Sequence, residues 1–171
     1  MPFRNNCVKA LSHRLTDGTW EIVDGDTKVF DEEALYEPGY VQVVYLKVEN
    51  QGDREFKFYT AVTVNGCVVA KNVYGQEFML QDYLKFGITS ADSEQAMKDS
   101  LPDRDAAEAV ATMPLHNYYE TATTELAPGE IKYVALVVRM PQEVTNVANY
   151  NELPIPEVDL GITVKADQII N

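Results

Sequence analysis

Apolar residues fall on every second position in several stretches of this chain, the spacing of strands with one face turned inward. In Val41 to Glu49, Val44, Leu46 and Val48 share one face, and Val43, Tyr45, Lys47 and Glu49 share the other. Arg54 to Val64 repeats the pattern, with Phe56, Phe58, Thr60, Val62 and Val64 on the apolar face. Val158 to Ala166 does so again, with Leu160, Ile162 and Val164 inward. Ile131 to Met140 differs, because Val134, Leu136 and Val138 alternate with residues that are also apolar. That strand is expected to be central and covered on both sides. Shorter strands are expected at Thr19 to Val23, with Trp20 and Ile22 on one face, at Cys67 to Ala70, at Leu84 to Thr89, and at Leu115 to Thr121.

Turn chemistry divides these strands. Glu37-Pro38-Gly39 and Ala127-Pro128-Gly129 each place Pro before Gly, which suits a type II turn leading straight into a strand. Thr16-Asp17-Gly18 and Asp24-Gly25-Asp26 are further turn signals. Asn50-Gln51-Gly52-Asp53 reads as a hairpin connection, and Asn65-Gly66 as a two-residue hairpin. A turn is expected at Leu80 to Tyr83, a helical turn at Asp31 to Tyr36 with Asp31 as cap, and another at Val144 to Tyr150.

Residues 90–113 depart from this pattern. They are rich in Ala, Asp and Glu, and Pro102 separates two runs of good helix formers. They read as a short α-helical insertion between strands. Because most strands lack an intervening helix, a parallel α/β fold does not fit. The expectation is one mainly β domain over 1–171, an antiparallel β-sandwich of jelly-roll or immunoglobulin-like type.

Composition narrows the function. At 171 residues the chain can bury roughly 70% of its unfolded surface without a metal or disulfide staple. Fourteen basic against 27 acidic residues give a formal charge of −13, which disfavours nucleic acid as a partner. No stretch is apolar for long enough to be read as a membrane-spanning helix. Met1-Pro2-Phe3-Arg4-Asn5-Asn6 has no apolar signal core, so either the protein is cytoplasmic or a signal peptide has been removed. The apolar end, Ile169-Ile170-Asn171, reads as the trimmed end of a longer parent.

Reactive constellations are sparse. His13 and His116 sit in no zinc pattern, no GxSxG or phosphate loop occurs, and no cofactor is expected. Asp24, Asp26 and Asp31 form a candidate calcium cluster, or a plain turn. Cys7 and Cys67 are either two reduced thiols or a disulfide, whose loop closure would be worth about 4 kcal/mol. Ten tyrosines, Tyr118 and Tyr119 among them, either pack strands or offer a platform for carbohydrate.

Three segments together carry a resemblance: Phe30 to Gly52 with its Glu37-Pro38-Gly39 entry, Leu126-Ala127-Pro128-Gly129-Glu130 before an alternating strand, and Asp159-Leu160-Gly161-Ile162-Thr163-Val164. In this order they resemble the TasA/camelysin family of secreted Gram-positive proteins, whose signal peptides are cleaved by the SipW peptidase. The resemblance spans most of Trp20 to Ala166 outside the helical insertion. It implies secretion and a structural role at the cell surface or in biofilm matrix, as a homo-oligomer or fibre. It also implies that an N-terminal strand, here within 1–15 and roughly Asn6 to Leu15, exchanges between subunits. The family also carries a metallo-endopeptidase label, but no zinc ligand set is present to receive it, so no enzymatic activity is expected. The alternatives are an extracellular binding or adhesion module for carbohydrate or a host protein and, by the family label only, a metallo-endopeptidase.

Overall fold

The structure is a computed structural model and describes residues 9–23, 27–31, 34, 36–115 and 124–168. In chain order its strands and helices are β1 (Lys9–Arg14), β2 (Trp20–Ile22), β3 (Val41–Asn50), β4 (Phe56–Cys67), β5 (Ala70–Lys71), β6 (Glu77–Phe78) and β7 (Lys85–Ala91), then α1 (Glu94–Ser100) and α2 (Arg104–Val110). They are followed by β8 (Met113–Pro114), β9 (Thr124–Leu126), β10 (Ile131–Arg139) and β11 (Val158–Gln168). A six-stranded sheet has the order β2-β1-β3-β10-β7-β8, and a three-stranded sheet the order β11-β4-β9. All pairings are antiparallel.

The two sheets face each other as a sandwich. Val44, Leu46 and Val48 of β3 and Val134, Leu136 and Val138 of β10 meet Phe56, Phe58 and Val62 of β4 in one buried cluster. A second cluster lies on the other side of the larger sheet. There Ala135 and Val137 of β10 pack against Met97 and Leu101 of the first helical stretch and Ala107 and Ala111 of the second. Strand β10 is thus covered on both faces, as its doubly apolar sequence predicts, and each buried Val or Leu contributes roughly 1.5–3 kcal/mol.

The helices form where expected, each started by a side-chain cap. Ser93 Oγ accepts from the Ala96 amide at 3.0 Å, and Asp103 Oδ1 accepts from the Ala106 amide at 2.9 Å. Two arginines fasten the insertion down: Arg139 Nε donates to the Ala111 carbonyl at 2.8 Å, and Arg104 donates to the Gly39 carbonyl.

Both Pro-Gly turns take the type II form. Gly39 has φ +91° and Gly129 φ +82°, conformations that favour glycine. The Tyr40 amide donates to the Glu37 carbonyl at 2.9 Å, and the Glu130 amide to the Ala127 carbonyl at 3.0 Å. Each turn closes against the far end of the other's strand: the Gly39 amide donates to Met140 O, and the Gly129 amide to Asn50 O, both at 2.8 Å.

Two expected hairpins are absent. Residues 50–53 do not pair β3 with β4; they carry the chain from the larger sheet to the smaller one. The fully buried Asn50 side chain determines this path, since its amide bonds the carbonyls of Arg54 at 2.9 Å and Leu126 at 3.0 Å. Asn65-Gly66 is no turn either. Strand β4 runs through it to Cys67, and Asn65 is a bulge where the register shifts from Gly66↔Asp159 to Val64↔Leu160. Gly66 lacks the positive φ that the expected turn requires. The strand expected at Cys67 to Ala70 is accordingly divided between the end of β4 and the start of β5.

Elsewhere, 3-10 turns at Leu80–Asp82 and Asn146–Ala148 fall within the expected segments. Trp20 packs toward the helical layer, whereas Ile22 is 71% exposed. Leu160 is buried, while Ile162 and Val164 are half-buried against the core. The strand expected at Leu115 to Thr121 lies outside the described residues beyond Leu115, and half of the helical turn expected at Asp31 to Tyr36 does too.

Candidate functional site

The sheet margins are the natural place to look for association, because an edge strand offers backbone donors and acceptors to another chain. The larger sheet ends on β2 and β8, of three and two residues. The smaller ends on β9, of three residues, and β11, of eleven. The long margin strand β11 faces the β1–β2 hairpin across a groove of about 690 Å³, lined by Leu11, Ile22 and Val29 on one side and Leu160 and Ile162 on the other. A second groove of about 590 Å³ adjoins it, lined by Phe30, Tyr36, Val68 and Leu160 and carrying Asp31 and Glu157. Lys28 lines both grooves and reaches Asp159 Oδ1 at 3.5 Å. Both partners of that ion pair are half-exposed, so it contributes less than about 1 kcal/mol.

Strand β1 sits one place in from the margin, between β2 and β3. The tight turn that folds β2 back on it is held by Asp17 Oδ1, which accepts from the Thr19 hydroxyl at 2.6 Å and the Thr19 amide at 2.9 Å. Those bonds hold the Asp17 carboxyl below the usual carboxylate range. His13 is buried opposite Glu21, with Nε2 3.2 Å from Glu21 Oε2. The remainder of β1 is polar apart from Ala10 and Leu11, so the strand is held chiefly by its ladder to β3. Near the second groove, burial pushes the Tyr36 hydroxyl well above its ordinary pKa, and burial with the nearby Asp31 charge raises that of Tyr40.

The expected chemistry is only partly within view. Asp31 is exposed beside the second groove, whereas Asp24 and Asp26 lie outside the described residues, so the calcium cluster does too. Cys67 is half-buried on the wall of the second groove and forms no disulfide with a described residue. Cys7, and with it the Cys7–Cys67 pairing, lies outside the described residues, as do His116, Tyr118 and Tyr119. Among the described residues, no group of three or more His, Cys, Asp or Glu side chains could hold a metal ion, and no helix is long and apolar enough to cross a membrane.

A buried polar side chain organises one end of the sandwich. The β5–β6 hairpin and residues 147–151 are joined at one end of the sandwich around Asn72, which is 2% exposed. Asn72 Oδ1 accepts from the amides of Tyr74 at 2.9 Å and Gln76 at 3.0 Å. Its Nδ2 donates to the Val147 carbonyl at 3.1 Å and to Gln76 Oε1 at 3.3 Å. The Val73 amide donates to Asn149 O and the Asn151 amide to Lys71 O, both at 3.1 Å. An Asn ahead of a turn containing Gly75 is the only local trace of this hub. No protein-family model matches this chain, and no curated protein matches it in sequence.

Proposed function

We propose that this protein is a non-enzymatic, secreted structural subunit of a cell surface or matrix, working by self-association through strand exchange. The observation that supports this reading is the position and composition of β1. It is the most N-terminal described strand, it lies one place in from the sheet margin, and its side chains add little apolar burial. A backbone ladder is nearly independent of sequence, so the slot beside β3 accepts the β1 of a neighbouring copy as readily as its own. Exchange then conserves hydrogen bonds, and concentration decides between the closed monomer and the chain of subunits. The resemblance of the Pro-Gly turn segments and of Asp159 to Val164 to the TasA/camelysin family points the same way, toward secretion and fibres.

Charge sets the conditions. At −13 the subunits repel one another at neutral pH, and protonating carboxylates relieves that repulsion. The test compares the full chain with a chain lacking residues 1–15, each at high concentration and in mild acid, by light scattering and electron microscopy. Assembly of the full chain, lost on truncation and blocked by excess Asn6–Leu15 peptide, is the expected result. A full chain that remains monomeric under both conditions overturns the reading.

A further inference from the structure

Strand β3 is longer than the strand beside it. On one side it pairs with β10 from Val41 to Glu49, but on the other β1 covers it only from Asn50 to Leu46. Among the described residues no strand lies beside Val41–Tyr45 on that second side. Tyr40 O accepts from the Met140 amide, and the Asn50 amide donates to Glu130 O, so the even-numbered residues turn their backbone groups toward β10. Antiparallel alternation then turns those of Val41, Val43 and Tyr45 toward the uncovered side. A groove of about 460 Å³ opens at the same place, between Val41, Val43 and Tyr45 and the helical residues Leu101 and Ala107.

We propose that strand exchange opens the turn after β1, so that Leu15 and Thr16 of the incoming copy continue the ladder along β3. The proposal rests on the strand-exchange reading and names the surface that the exchanged segment meets beyond β1.

Register identifies the occupant. His13 stands opposite Leu46, so an unbroken continuation sets Leu15 against Val44 and Thr16 against Val43. In the closed subunit the chain cannot follow that line. Gly18, at φ +88°, turns it back toward Trp20, and the Leu15 amide bonds Thr19 O at 2.8 Å while the Gly18 amide bonds Leu15 O at 3.0 Å. Only a copy whose β2 stays in another subunit brings the same residues in straight, with Asp17 and Gly18 spanning the step between subunits.

The exchange of contacts is favourable in kind. The two backbone bonds of the turn are replaced by the two that Thr16 and Val43 share as a hydrogen-bonded pair. The Asp17–Thr19 bonds are exposed, so water replaces them. Leu15, 36% exposed in the closed subunit, gains a place beside buried Val44 on the inner face, which Leu11 already shares. Thr16 lies on the opposite face with Val43, at the groove under the helices. The margin thus favours the open form beyond the β1 bonds that exchange conserves.

Sedimentation equilibrium and amide hydrogen exchange on the full chain, beside Thr16→Pro, test this. Thr16 is the second residue of the closed turn, a position that favours proline. Proline there also removes the N–H that Val43 O would accept. The expected result is assembly weakened at least about tenfold in the variant, with no loss of monomer melting temperature. In the wild type, the Val43 and Tyr45 amides should exchange at least about tenfold more slowly in the assembly than in the monomer. Amides that are not slowed overturn the hinge pairing whatever the variant does, and strand exchange stands if assembly still requires residues 1–15. Slowed amides support it even where Thr16→Pro fails to fold. A wild type that assembles without residues 1–15, or does not assemble, overturns both.

Discussion

Asn50 Nδ2 donates to the Leu126 carbonyl at 3.0 Å, a bond between residues 76 positions apart. It joins two of the places where the chain passes between sheets, from β3 to β4 and from β9 to β10. The same side chain accepts from the Gly52 amide at 3.0 Å, and the Asn50 amide donates to Glu130 O at 3.0 Å. Asn50→Ala leaves the Leu126 carbonyl and the Gly52 amide without this partner and opens a polar cavity. Urea denaturation should show a loss of about 2–4 kcal/mol. A loss below about 0.5 kcal/mol would mean that this corner does not hold the sheets together.

Gly87 lies in β7 where α2 ends above the sheet. A Cβ there would stand 1.9 Å from the Val110 carbonyl oxygen, which is backbone and cannot rotate aside. Gly87→Ala should therefore lift the end of α2 and cost about 1–3 kcal/mol. Faster proteolysis between residues 100 and 112 would locate the damage; unchanged stability and cleavage would show that the helix sits loosely.

Leu136 and Val137 are adjacent, fully buried, and point to opposite sides of β10. Leu136→Ala should cost about 2–5 kcal/mol and Val137→Ala about 2 kcal/mol. Comparable losses, read from chemical melts, are the signature of a strand packed on both faces. A negligible effect of Val137→Ala would contradict the helical layer.

Tyr36 gives a pH dependence whose direction is fixed. Burial favours its neutral form, so its folded pKa lies above the unfolded value near 10.0. Its contribution is complete below pH 10 and declines as pH rises above it, because the unfolded chain then loses its proton first. Tyr36→Phe should flatten part of the alkaline fall in stability without changing the acid side. An identical alkaline profile in the variant would refute the assignment.

The strands and helices were legible because alternation, Pro-Gly turns and helix formers are local signals. Val41 to Glu49 and Ile131 to Met140 needed nothing beyond their own side chains. Alternation shows which residues share a face, but not which sheet a strand joins. A polar loop such as Asn50 to Asp53 therefore serves a hairpin or a sheet-to-sheet crossing equally well, and Leu126 decides between them from far along the chain. Asn65-Gly66 stays in a strand for a related reason: pairing with β11 on both sides of the dipeptide outweighs its turn preference. The Asn72 hub was hidden because its Val147 partner is 75 residues away. The calcium and disulfide expectations turn on Asp24, Asp26 and Cys7, which lie outside the described residues.

The two-sided cover on β10 governs how water enters the molecule. The amides of Val134 to Val138 are roofed by helices, floored by the smaller sheet and flanked by β3 and β7, so no small fluctuation exposes them. Deuterium should reach them only through global opening, and their exchange rates report the whole domain's stability rather than that of any one loop.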